Sequence, residues 1–474
     1  RPRVLGLSLA ADRLENDTRR ETHTTGVTDM ALAPDGKTLA LVIRGEIWTC
    51  PAEGGDLTRL TNTLSQEADP AWSVDGARLA YSSARSGSQG IFVMDVKSRA
   101  EIAVADSPAD EVRPQWSPDG RFLAFVRTGG SEPGLCVLPS AQEGNGRLEP
   151  VVVLAGTGVR EYTWSPDGRW LACVRRDKTG TSDLWIAPSV GGTAVNVTRY
   201  PGFYSRPVWA RDGRHLVFAA VRGSETAAVA PTIYALPLLP PSPREGAAGA
   251  QSGQTGPDQE ETFLPDDREP EAQRRRPTAP DGQPSGAAPQ PGQAPGLPPL
   301  MPASRSTQVR IEFDNIENRA RPVLQTRDRV AGGILAPDGR SLLYFVPQGA
   351  EGGWWLLDIE RGNRLRLTTD TASPADSIAF SPEADRVYYR TAAGEVRVLS
   401  RGSPETRAIA FSGVYIADRR LVSREAFDQA WRTLRTRFYD PQMHGVDWLA
   451  VRKRYEPALP QVVAREDFAW LLQA

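Results

Sequence analysis

One short phrase recurs along this chain and restricts its fold more than any other feature. It reads Trp116-Ser117-Pro118-Asp119-Gly120 and again Trp164-Ser165-Pro166-Asp167-Gly168. Weaker copies stand at Leu32-Ala33-Pro34-Asp35-Gly36, Trp72-Ser73-Val74-Asp75-Gly76, Trp209-Ala210-Arg211-Asp212-Gly213, Leu335-Ala336-Pro337-Asp338-Gly339 and Phe380-Ser381-Pro382-Glu383-Ala384. The seven copies start 40 to 48 residues apart, except the fifth and sixth, whose starts at Trp209 and Leu335 are 126 apart. A period of this length marks a propeller or another repeat array.

Each repeat shares one internal pattern. A short strand ends at the phrase's first residue. Pro presets φ for a turn, Asp can accept from the backbone two residues on, and Gly takes the left-handed position without steric conflict. A second strand then alternates with period two, as in Leu39 and Leu41 or Leu123 and Phe125. The third strand is apolar and aromatic, as in Ile91-Phe92-Val93-Met94 and Trp354-Trp355-Leu356-Leu357. A fourth closes the repeat, as in Ile102 to Ala105 and Val151 to Leu154. The pattern predicts an all-β fold, a seven-bladed β-propeller of four-stranded blades. The recurrent Trp is expected between neighbouring blades, where loss of one ring would cost roughly 3–5 kcal/mol.

The long gap falls inside the fifth repeat. Its third strand ends near Leu236, and Val309-Arg310-Ile311-Glu312-Phe313 reads as its fourth. Residues 240–306 between them are rich in Pro, Gly, Gln, Ala and charge, with Phe263 the one aromatic. Such a composition cannot bury enough apolar surface to order itself, so a disordered insertion is expected there. Arg274-Arg275-Arg276 inside it reads as a solvated charge run.

After Phe411 the period changes. Phe427, Ala430, Trp431, Leu434 and Phe438 recur at helical spacing in a helix expected over Ser423 to Phe438, with Ser423 as N-cap. Asp447 is the expected cap of a second helix, Trp448 to about Tyr455, which Pro457 ends. A third is expected to start near Arg465 and to carry Phe468, Leu471 and Leu472. The chain thus divides into an N-terminal extension (1–25, with one expected strand at Val4 to Leu9), blades one to the first part of five (26–239), the insertion (240–306), the last strand of blade five to blade seven (307–413), and the short α-helical start of a truncated second domain (414–474).

The residues at this junction resemble a known family. The phrase itself resembles the blades of TolB-like propellers. Ile311-Glu312-Phe313-Asp314-Asn315-Ile316 followed by Arg319 is similar to a segment of the seven-bladed propeller of tricorn protease relatives. The run Phe427-Asp428-Gln429-Ala430-Trp431, then Arg437 through Trp448, then Tyr455-Glu456-Pro457-Ala458-Leu459-Pro460 resembles the entry to that family's catalytic core, and it is long and unrepeated. The resemblance implies a serine peptidase of the tricorn (S41) type, related to the C-terminal processing peptidases. In that family a six-bladed propeller comes first, a seven-bladed one second, and a core split by a PDZ-like domain last. It implies peptide substrates admitted or screened by the propeller, assembly of the complete protein into homo-oligomers, and a cytoplasmic location, with a periplasmic one as the alternative. The first propeller has no counterpart here, and the family's Ser–His pair is expected beyond Ala474. The resemblance therefore maps no catalytic residue onto this chain, which is expected to be inactive alone.

The residues read without the family agree. His23, His215 and His444 lie in different elements and form no zinc-ligand spacing. There is no Gly-x-Ser-x-Gly elbow, and one carboxylate per Asp-Gly turn falls short of a calcium shell. His444 reads as a loop-ordering residue. Cys50, Cys136 and Cys173 fall on expected strands and read as buried thiols. No catalytic, cofactor-binding or metal-binding residue and no cofactor are expected. The net charge of −2 with 24% charged residues of mixed sign, and no apolar run near 18 residues, give no reason to expect nucleic-acid or membrane partners. A stand-alone propeller acting as a protein-binding scaffold is the alternative reading.

Overall fold

The computed structural model describes residues 18–473 apart from 64, 141–148, 199–201, 223–231, 241–307, 326–331, 337–339, 348, 350, 360, 371, 373, 401–402, 404, 438–439, 441–442 and 463–464. The described residues build seven four-stranded antiparallel sheets in chain order, spanning 27–59, 67–105, 110–155, 159–196, 202–325, 332–366 and 374–408. We number these blades 1 to 7. Their first strands touch in turn around a ring, and Val27–Leu32 of blade 1 meets Pro374–Phe380 of blade 7 to close it. The core is not one mass but seven apolar layers, one at each junction between blades. Leu79, Tyr81 and Phe92 of blade 2 pack with Ala40, Val42 and Ile47 of blade 1, for example, and Leu343 and Trp354 of blade 6 pack with Val387 and Tyr389 of blade 7.

The repeated phrase explains the turns and part of the cohesion between blades. The Asp75, Asp119 and Asp167 carboxylates accept from the hydroxyls of Ser73, Ser117 and Ser165 at 2.5, 2.6 and 2.7 Å. Each serine oxygen in turn accepts the N–H five residues on at 2.9 Å. These hydrogen bonds hold the Asp75 carboxyl below the usual carboxylate range, the Ser73 bond most of all. Gly76, Gly120 and Gly168 then turn the chain at φ of 69, 72 and 69°. The aromatic residue works across the junction. Trp72, Trp116, Trp164 and Trp209 donate their indole N–H to the carbonyls of Ala31, Ala71, Gln115 and Thr163 in the preceding blade, at 3.1 to 3.2 Å. Each acceptor is the residue just before the phrase of that blade. Cys50, Cys136 and Cys173 are buried free thiols, and burial pushes their pKa values up to about 11, 11 and 12.

Blade 5 departs from the sequence reading. Its fourth strand is Arg321–Gln325, paired with Thr232–Pro237, and not Val309 to Phe313. The 309–313 stretch instead runs from the phrase turn of blade 4 to the end of the third strand of blade 5. Val309 N–H donates to Asp167 at 2.8 Å, and Glu312 N–H donates to Leu238 at 3.0 Å. Its alternating Val309, Ile311 and Phe313 cover the apolar layer between those blades, with Phe313 edge-on to Trp170. Arg319 fastens the return by donating to the carbonyls of Leu238, Glu312 and Asp314. The expected strand at Val4 to Leu9 and the insertion lie outside the described residues.

Two strands lie outside the repeat pattern. Thr18–His23 pairs antiparallel with Phe411–Asp418, which runs parallel to Gly55–Asp56 at the edge of blade 1. The second of these carries the chain out of the ring. It starts beside Gly55, at the phrase-turn end of blade 1, and rises to the opposite end, where Arg44 of the turn between strands two and three reaches Glu21 at 2.6 Å. There it passes directly into a helix, α1 (Arg419–Arg437). The cap of α1 is Asp418, which accepts the N–H groups of Arg420 and Leu421 at 2.9 and 3.2 Å, not Ser423, which sits inside the helix. The next two helices are α2 (Trp448–Tyr455), capped by Asp447 through Ala450 N–H at 3.0 Å, and α3 (Arg465–Gln473). Trp431 of α1 stacks on Trp448 with ring centroids 4.0 Å apart, and Asp428 pairs with Arg452 at 2.5 Å. Among the described residues no helix is long and apolar enough to cross a membrane.

Candidate functional site in the central channel

The first strands of the seven blades enclose a channel of about 1300 Å³. A strand shows alternate residues to its two faces, so the channel-facing positions recur at fixed distance from the phrase. Three residues before the phrase stand Asp29, Asp69, Arg113, Glu161, Arg206 and Ser377 on blades 1 to 5 and 7, all of them in the channel wall. Five of these carry charge. In blades 2, 3 and 5 the first strand is bulged here, and Asp69, Arg113 and Arg206 take φ of 54, 57 and 54°. A left-handed non-glycine residue costs about 1–2 kcal/mol, and a bulge re-aims the side chain it carries. The belt is therefore held against a local backbone preference.

Several belt residues are tied across blade junctions. Asp69 accepts the Ser82 hydroxyl at 2.9 Å and the Arg113 N–H of the next blade at 3.0 Å. Glu161 accepts the Arg206 N–H in the same way. Asp29 accepts the Ser377 hydroxyl of blade 7 and its own neighbour's N–H, Met30, both at 2.7 Å. Burial raises the Asp29 pKa and these two bonds oppose it. The Tyr162 hydroxyl donates to the carbonyls of Arg113 and Ala124.

Nearer the mouth lies Glu67, whose side chain is 0% exposed. Its Oε1 accepts from Thr63 at 2.5 Å and Ser83 at 2.9 Å, while Oε2 has no hydrogen-bond partner among the described residues. Burial, only partly offset by the Thr63 bond, raises its pKa from 4.5 to about 7. Arg44, Gly45, Ser65 and Gln66 complete this end of the wall, and Gln429 of α1 lines the same cavity. The channel thus opens beside the helices.

None of the three histidines enters the channel wall. His23 is buried at the edge of blade 1 between Trp48 and Tyr415, and burial lowers its pKa, with Arg44 adding to the effect. His215 begins a second strand of blade 5. His444 lies in an exposed turn, where its N–H donates to Asp440 at 2.8 Å. No group of three or more His, Cys, Asp or Glu suited to a metal ion occurs among the described residues. The charged belt escaped sequence reading because its residue type changes from blade to blade. The one available signal was its constant offset from the phrase.

Comparison with known proteins gives the fold and the helices a common context. The TolB β-propeller domain matches residues 13–149, and the tricorn protease C1 domain matches residues 423–474, from inside α1 onward. A tricorn protease homolog of Streptomyces coelicolor is 25% identical over 342 residues, 62% of this chain and 25% of that protein. The crystal structure of the tricorn protease superposes on 96% of this chain and 41% of its own, with a TM-score of 0.67 at 13% identity. The chain is a tricorn-like protein with a TolB-type propeller. A shorter likeness, 40% over 62 residues, links this tricorn-like chain to a TolB homolog of Chlorobium luteolum. The tricorn-like chain spans a quarter of the length of the Streptomyces relative.

Proposed function

We propose that the propeller is the peptide port of a serine peptidase of the S41 type, with its channel admitting or screening peptides on their way to a catalytic core that begins with α1. The observation that carries this reading is that Gln429 of α1 and the first strands of the blades line one cavity. A channel of about 1300 Å³ has room for an extended peptide but not for a folded domain. The likeness of residues 423–474 to the tricorn C1 domain supports the same direction. Residues 1–474 alone are expected to bind peptide without cleaving it.

The test uses the uninterrupted gene product. Gln115 is exposed in the channel wall. Gln115→Trp should narrow the channel and slow cleavage of peptides of ten or more residues at least tenfold, leaving a chromogenic di- or tripeptide nearly unaffected. No hydrolysis by the wild-type product, or hydrolysis indifferent to serine-directed inhibitors, would sink the proposal.

A further inference from the structure

We infer that the channel wall on blades 3 and 4 is a carboxylate-binding subsite, built on Arg113 and Arg160, that favours acidic peptide segments. The inference deepens the port reading and rests on it for the identity of the ligand as peptide.

Arg113 and Arg160 both line this part of the channel. An Nη of Arg113 donates to the backbone carbonyl of Arg160, so the Arg160 side chain springs from the residue that Arg113 touches. Both residues are exposed to the channel. Among the described residues no carboxylate pairs with either guanidinium. The nearest acids of the belt accept from neutral donors and not from these guanidinium groups, Asp69 from Ser82 and the Arg113 backbone N–H, and Glu161 from the Arg206 backbone N–H. Two guanidinium groups in one stretch of wall offer more N–H donors than the described residues take up. A carboxylate can accept them, because it matches the guanidinium fork and forms charge-assisted bonds about twice as strong as neutral ones. The left-handed backbone of Arg113, at φ 57°, turns its side chain out of the normal strand alternation at a local energetic cost. A strained, charged position in a cavity wall is a mark of a binding role rather than of packing. The source of the carboxylate is either an Asp or Glu side chain or the C-terminus of the peptide.

The test is calorimetric titration of residues 1–474 with unlabelled peptides of equal length: Glu-rich or Gln-rich, each with a free or an amidated C-terminus, at low and at raised salt. The Glu-rich peptides should bind at least tenfold tighter than the amidated Gln-rich one, and raised salt should erase most of the difference. Preference that survives amidation assigns the side chain as the ligand, and preference of the Gln-rich free acid over its amide assigns the terminus. Arg160→Gln should remove the preference without changing the unfolding midpoint, since no described residue partners its guanidinium. Arg113→Gln should also remove the preference, with a small loss of stability for the bond to the Arg160 carbonyl, and Arg310→Gln, outside the channel, should leave the preference intact. Equal binding of all four peptides, or a preference untouched by both substitutions, overturns the subsite but leaves the port reading standing. Absence of binding by any peptide overturns both. Carboxylate-selective binding in a protein that hydrolyses nothing at full length overturns the port reading alone.

Discussion

The indole nitrogen of Trp116 lies 3.1 Å from the carbonyl oxygen of Ala71, in the neighbouring blade, and donates its hydrogen there. The same bond recurs at Trp72, Trp164 and Trp209, so the repeated aromatic has two separable roles, a ring that packs and an N–H that latches.

The two roles can be measured apart. Trp116→Phe keeps most of the ring and leaves the Ala71 carbonyl without its donor, which should cost about 1 kcal/mol. Trp116→Ala also empties the layer and should cost about 3–5 kcal/mol. Denaturant unfolding followed by circular dichroism gives both values. Equal losses for the two variants would show that the ring contributes nothing beyond its hydrogen bond.

At the seventh copy of the phrase, Ala384 stands where the first five copies carry a left-handed glycine, and it adopts φ of 54° itself. Ala384→Gly should therefore stabilise the protein by about 1 kcal/mol, since the left-handed region penalises a Cβ by about 1–2 kcal/mol and glycine's extra freedom in the unfolded chain returns part of that. An unchanged or lower unfolding midpoint would show that the Ala384 methyl packs well enough to outweigh its strain.

Glu67 gives a pH dependence whose sign is fixed by its raised pKa. Between 4.5 and about 7 the folded state holds a proton that the unfolded state has released. Its contribution to stability is thus complete below pH 4.5 and is lost as pH rises through about 7. At 1.36 kcal/mol per unit the loss is on the order of 3 kcal/mol. Glu67→Gln should be nearly neutral at pH 4.5 and progressively more stable than wild type up to pH 8, read from urea midpoints. A difference constant over that range would contradict the assignment.

His23 acts in the opposite direction. Its pKa is lowered from 6.5 by burial beside Trp48 and Tyr415, so its contribution is complete above 6.5 and is lost as pH falls through the folded-state value. His23→Phe should lose less stability than wild type below pH 6, with the difference vanishing above pH 7. Hydrogen exchange of the amides in Phe411–Asp418 would locate the effect at the strand that leaves the ring.

Much of this architecture could be read from the sequence because one turn chemistry repeats. Pro-Asp-Gly, the serine before it and the aromatic at its head each do in the structure what their side chains allow. Asp447 likewise caps α2 as its position suggests. The failures share a different cause, which is that alternation reports burial on one face and not hydrogen bonding. Val309, Ile311 and Phe313 alternate as a strand does, yet they cover an apolar layer while Arg321–Gln325 makes the ladder. Thr18–His23, all polar, reads as a loop because most of its side chains face water, and only its backbone partner reveals the strand. Asp418 does not stand out as a cap in the sequence because the apolar spacing that marks α1 starts at Phe427, two turns into the helix. The channel belt combines both difficulties, with no shared residue type and no shared polarity.

The two ends of the ring differ in how readily they admit more chain. The break between Thr232–Pro237 and Arg321–Gln325 opens at the phrase-turn end, and Glu312 to Leu238, Val309 to Asp167 and the Arg319 clasp close the fold beneath it. Doubling the length of a flexible loop costs only about 0.6 kcal/mol, so that end tolerates insertion, trimming or fusion with little effect on the blades. The opposite end, where Asp418 hands the exit strand to α1 and Gln429 faces the channel, has no such slack. New modules can be grafted onto one side of this ring while the other keeps its alignment, which makes it a scaffold that can change its attachments without changing its aperture.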